Sequence, residues 1–167
     1  MLTEITVALG QIRDARDYTT NLLRDLAPDD WFRTPHDSPT HIAWQVGHLA
    51  MAQYRLLLER IRGHRASDDD LISPEFLKQF GKDSVPEFEP AKNPSIATIR
   101  ATFDRVYEQA LRELPEVADD QWSTEPVRPH RLFTTKLGSI LWCSRHDMLH
   151  AGQIGLLRRL LGRQPQW

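Results

Sequence analysis

His146 and His150 stand four residues apart in the segment Leu141–Ile154. On a helix, that spacing puts the two imidazoles about 40° apart around the axis and roughly 6 Å apart along it. Side chains so placed can reach one metal ion. The pair alone says little, because helices carry such spacings by chance. On spacing alone the better reading is that one histidine caps a buried carbonyl and the other reaches solvent. A second histidine-bearing segment, His41–Ala50, changes the balance. It offers His48 as a third imidazole from a distant part of the chain.

Around the later pair, Ser139, Trp142, Cys143, His146, His150, Gln153 and Leu157 share one helical face, so both histidines point toward the core with apolar neighbours. Two imidazoles buried side by side repel if both are protonated, and each needs a partner if neutral. A shared divalent cation resolves both difficulties. On the earlier segment His41, Gln45, His48, Leu49, Ala52 and Leu56 share a face. His41 and His48 lie two turns apart, too far to serve one ion together with the later pair. His48, nearer the middle and beside small Ala52, is assigned as third ligand. His41 reads as an ordinary polar residue of the first turn, at the pocket mouth or hydrogen-bonded at the bundle end.

Three imidazoles leave a coordination position open for water or substrate, an arrangement that brings the pKa of water toward neutrality, polarises a carbonyl or ionises a thiol. Imidazole suits zinc, nickel, copper and iron, with zinc or nickel expected first. Cys143, one turn before His146, reads as a small core residue; as a fourth ligand it would close the site and argue against catalysis. Gln153 reads equally as a ligand-orienting group or simple packing. Asp147 points off the ligand face and is expected to be solvated or capping. Trp44 and Trp142 read as core aromatics rather than substrate platforms, and His36, His64 and His130 receive no role.

Four helices are needed to position these groups. The first is expected over about Thr3–Leu26, with Leu2, Ile5, Leu9, Ile12, Thr19, Leu23 and Leu26 on its stripe, Arg16 in the missing place and Pro28 as the stop. The second is expected from the Ser38-Pro39 cap to just before Gly63 and, being apolar over much of its circumference, at a central position. The third follows Asn93-Pro94 and ends at Pro115. The fourth runs over about Lys136–Leu161 and closes at Gly162, with Arg158 and Arg159 suiting the C-terminal dipole. No segment combines strict alternation with β-branched richness, so strands are not expected.

The pattern predicts an all-α fold, a four-helix bundle with a long crossover between the second and third helices, forming one domain over residues 1–167. Within the crossover, Ser73–Phe80 reads as a short capped helix, and Asp68, Asp69 and Asp70 as a solvated surface. The segments Pro28–Pro35 and Ala118–Pro126 echo one another and suggest two related helical hairpins.

Composition narrows the function classes. The apolar fraction is 40% and the charged fraction 26%, ordinary for a globular domain. A formal net charge of −2 gives no electrostatic reason to expect nucleic acid or an anionic membrane as partner. One cysteine excludes an internal disulfide and suits a reducing cytoplasm. Charged residues from Glu4 to Asp17 speak against a secretory signal, and no apolar run reaches membrane-spanning length.

The segments Trp44-Gln45-Val46-Gly47-His48-Leu49 and His146-Asp147-Met148-Leu149-His150-Ala151-Gly152-Gln153-Ile154, together with helix order and the long second connection, resemble the DinB-like superfamily over nearly the whole chain. Its members are metal-binding four-helix bundles that include metal-dependent hydrolases and low-molecular-weight-thiol transferases. The resemblance implies one divalent metal on His48, His146 and His150, frequent homodimers and, in the transferases, a thiol cofactor. It implies no DNA function. A small-molecule substrate is expected, with thiol S-transfer first, then hydrolysis, then a non-catalytic metal- or ligand-binding dimeric scaffold. No Asp or Glu falls on the ligand faces to act as general base, which disfavours hydrolysis.

Overall fold

The computed structural model describes residues 3–166; Leu2, expected on the first apolar stripe, lies outside them. The described residues are helical and contain no strand, only an isolated bridge between His130 and Phe133.

Helix α1 (Glu4–Leu23) starts where the Thr3 hydroxyl accepts from Thr6 N at 3.3 Å and ends before Leu26, short of the expected stop. Its stripe buries Leu9, Ile12, Thr19, Leu22 and Leu23. Arg16 fills the gap in that stripe by pairing with Asp104, donating to the Phe103 carbonyl at 3.1 Å and lying 3.5 Å over the Phe103 ring. A cation on an apolar face is tolerated because each donor finds an acceptor or a ring.

Helix α2 (Ile42–Gln53) begins later than the Ser38-Pro39 pair suggests. His41 is the capping residue: its Nδ1 accepts from Trp44 N at 3.1 Å while Nε2 meets the Glu87 carbonyl at 3.0 Å. Ser38 Oγ donates instead to the Thr40 carbonyl at 2.9 Å. The imidazole does the work that a serine usually does. Every residue of α2 except Trp44 is buried, as its apolar circumference predicts. The helix continues through a π-helical stretch, Tyr54–Glu59, into α3 (Arg60–Arg62), and Gly63 at φ 84° ends it.

The connection that follows holds α4 (Asp68–Leu71) and α5 (Pro74–Gln79), the latter capped by Ser73, which accepts from Phe76 N at 3.2 Å. The acidic run is not wholly a solvated surface. Asp69 and Asp70 are exposed, but Asp68 is buried, accepting from both terminal nitrogens of Arg62 at 2.7 and 2.8 Å and from the Tyr54 hydroxyl at 3.0 Å. Arg62 also reaches Glu113 at 2.7 Å, tying the crossover to the next helix.

Helix α6 (Ile96–Glu113) is capped by Ser95, and α7 (Lys136–Leu160) by Thr135. α1 lies along α7, and α2 touches both α6 and α7, which gives it the central place. The two echoing segments form equivalent 3-10 turns, Pro28–Trp31 and Asp119–Ser123, each burying its tryptophan. No described helix is long and apolar enough to cross a membrane.

Candidate metal centre

α2 and α7 cross so that His48, His146 and His150 converge. One ring nitrogen from each lies within 4.8 Å of the others. Ring centroids are 5.2 Å apart for His48 and His146, 4.7 Å for His48 and His150, and 4.4 Å for His146 and His150.

Their hydrogen bonds decide which nitrogens are free. His48 Nδ1 lies 2.8 Å from the Phe80 carbonyl, and His150 Nδ1 lies 2.5 Å from Gln45 Oε1. Gln45 Nε2 is committed to Thr40 Oγ1 at 3.0 Å, which fixes its oxygen toward His150. Both partners accept only, so both Nδ1 atoms carry the proton and both Nε2 atoms are left as unprotonated acceptors. His48 Nε2 faces His146 Nε2 at 3.3 Å. That separation is roughly what two nitrogens 2.0–2.1 Å from one tetrahedral ion would show.

The surroundings oppose protonation. Burial first, then the neighbouring imidazole of His146 and the charge of Arg55, lower His48 to about 4, against the Phe80 carbonyl. Burial, then His146 and His48, lower His150 to about 3. Both are therefore neutral donors near pH 7, the form a metal requires. His146 Nδ1 is buried without a partner, and Asp147 Oδ1 stands 3.9 Å from it, just beyond a hydrogen bond. The donor set, three converging ring nitrogens with two imidazoles oriented from behind, fits a divalent metal ion.

Several neighbours differ from expectation. Asp147 is not solvated: it is buried and accepts from Gln53 Nε2 at 2.7 Å, and burial raises its pKa. It lies on the buried stripe of α7, between Cys143 and Ala151, a face adjacent to that of the histidines. Gln153 is exposed; the glutamine that orients a histidine is Gln45, on the opposite helix. Cys143 is fully buried, with its thiol 4.0 Å from Asp147 Oδ1, and burial pushes its pKa well up. It lies outside the histidine cluster, as a core residue. His41 is buried and hydrogen-bonded at the start of α2, away from the cluster.

Trp44 and Trp142 are half-buried, packed against the core as expected, and also line a cleft. Trp44 stacks on His48, with centroids 4.7 Å apart and planes at 16°, and its Nε1 donates to Ser84 Oγ at 3.2 Å. His130, given no role from sequence, lines the same cleft, whose volume is about 390 Å³.

A family model for the DinB superfamily matches residues 11–154. The chain belongs to the DinB superfamily. Comparison with curated proteins finds no match. The DinB match takes in both histidine-bearing segments and every residue that touches the three imidazoles.

Sequence reasoning missed Gln45 as a partner, although it stands three residues before His48 on the same face. It also missed the Phe80 carbonyl, for which no side-chain signal exists. Gly47 is the indirect sign: a Cβ there would sit 2.4 Å from the Phe80 ring. The bare α2 backbone admits Phe80 closely enough for its carbonyl to meet His48.

Proposed function

We propose that the protein holds one divalent ion, zinc or nickel, through His48, His146 and His150, and is a metal-dependent enzyme acting on a small molecule. Transfer of the sulfur of a low-molecular-weight thiol is the reaction we favour. The observation that carries this reading is the trio of imidazoles with two Nδ1 atoms committed to acceptors, at the wall of a cleft large enough for a small ligand. A dication at such a site acts as a Lewis acid and makes a bound thiol ionise near neutral pH.

The chain's own residues set the rest. Phe80 and Gln45 hold His48 and His150 in the donor tautomer. Trp44 shields the His48 face from water, and Cys143 is too deep to close the site as a fourth ligand. No Asp or Glu lines the cleft to serve as general base, which favours thiol transfer over hydrolysis of an amide or ester.

We further read the helices as a four-helix bundle with a crossover between the second and third, forming one domain that works in the cytoplasm. Exposed Met148, Leu149, Leu156 and Leu160 on α7, with Val7 on α1, support a homodimer.

The test is consumption of an electrophilic acceptor with a panel of low-molecular-weight thiols. At least one thiol should be consumed faster with metal-loaded protein than with metal-stripped protein. Equal rates for every thiol would overturn the transferase reading.

A further inference from the structure

Four cationic side chains line the cleft beside the histidines: Arg55, Arg60, Lys82 and Arg131. None of them forms an ion pair among the described residues. The neighbouring acid Glu59, whose charge reaches Arg60, forms its ion pair with Arg128 at 3.2 Å. Arg55 and Arg60 are half-buried, whereas Lys82 and Arg131 stand exposed at the rim. Arg60 Nε is buried without a hydrogen-bond partner, and Nη1 reaches only the Arg55 carbonyl, at 3.4 Å. A guanidinium with idle donors inside a cleft is incomplete without an acceptor.

The π-helical stretch explains how Arg60 joins Arg55 on this side. In an uninterrupted α-helix, Arg55 would lie about 20° from His48 around the axis, but Arg60 about 120° away. Accommodating one extra residue in a π turn withdraws about 100° of rotation. Arg60 is thereby carried back to the histidine face. The Arg60 carbonyl also accepts from Val127 N at 2.9 Å, tying down the segment that brings His130 and Arg131 over the cleft.

Cations outnumber acids at the cleft: no Asp or Glu lines it, although the charge of Glu59 reaches Arg60 from behind. Burial, then the charges of Arg60, Arg131 and Lys82 and the imidazole of His146, lower His130. Positive charges focused between low-dielectric walls attract and hold anions.

We propose that the cleft takes a small anionic ligand whose carboxylate or phosphate group is gripped by Arg55 and Arg60, with Lys82 and Arg131 drawing it in at the rim. This deepens the small-molecule reading above and rests on it. The anion ends against the two guanidinium groups, while the rest of the molecule extends toward the imidazoles.

Trp44 and Trp142 line the cleft, so their fluorescence reports occupancy. Zinc-loaded wild type is titrated with succinate, with inorganic phosphate and with neutral succinamide. The same titrations are run on Arg55→Gln, on the Arg55→Gln, Arg60→Gln double variant and on Arg13→Gln as a distant charge control. Succinate or phosphate should bind at least about tenfold more tightly than succinamide, and the tighter of the two identifies the group recognised. The double variant should lose at least about tenfold in affinity at unchanged zinc content, Arg55→Gln less, and Arg13→Gln nothing. Equal binding of succinamide, or unchanged affinity in the zinc-replete double variant, overturns the proposal and leaves the metal reading standing. Failure of the metal reading shows differently, as wild type that takes up no zinc while anion binding persists.

Discussion

Gln45 Oε1 lies 2.5 Å from His150 Nδ1 across 105 residues of chain. The contact joins the two helices that supply the histidines, and it orients the proton as well as the ring. Because the amide nitrogen of Gln45 is held by Thr40, the oxygen has no choice but to face His150. Partners behind a ligating imidazole raise its basicity and hold its direction.

Gln45→Leu keeps the volume and removes the acceptor. Metal affinity should fall about 10–100-fold while Gln45→Glu, which retains an acceptor, loses less. Competition with a chromogenic chelator measures both. Unchanged affinity in Gln45→Leu would remove Gln45 from the account.

A second partner acts through packing. The added methyl of Gly47→Ala would meet the ring of Phe80, itself wholly buried with nowhere to retreat. The substitution should cost about 1–3 kcal/mol in urea unfolding and shift the carbonyl that orients His48, weakening metal binding as well. Wild-type stability with wild-type metal affinity would show that the close approach is not needed.

The helices and the three histidines were legible in the sequence because both depend on side-chain type and spacing. Caps, apolar stripes and Pro or Gly stops placed α1, α5, α6 and α7 to within a few residues. What surrounds the site was not legible. The Phe80 carbonyl has no side-chain signature, and the π-helical stretch shifts phase without any marker in composition. Asp147 and Asp68 read as solvated because charged residues usually are, yet Asp147 is buried beside Gln53 from α2, and Asp68 beside Arg62 and Tyr54 of the helix that precedes it. Pairings of that kind exist only once the chain has folded.

Asp68 gives the fold a pH dependence. Burial alone would raise its pKa, but hydrogen bonds from Arg62, Arg65 N and Tyr54, with the charge of Arg62, hold it below 3.8. Glu113 is likewise held below 4.5, against its own burial, by Arg62 and Gln109. Groups lowered on folding contribute stability that is full above their unfolded values and is lost as pH falls through the folded ones. Unfolding free energy should therefore drop as pH falls below about 4.5, and this acid-side loss should shrink in Asp68→Asn. At neutral pH the same variant leaves Arg62 with Glu113 as its one remaining carboxylate and should cost about 1–3 kcal/mol. A neutral-pH cost below about 1 kcal/mol, the range of an exposed pair, would contradict the buried-pair reading.

We propose that three imidazoles from two helices share one ion, and elemental analysis of untagged protein decides it, wild type beside His150→Ala, with helicity checked by circular dichroism. The prediction is about one dication per wild-type chain and well under half of that in the folded variant. Equal metal in both, or none in wild type after exposure to zinc and nickel, would contradict it.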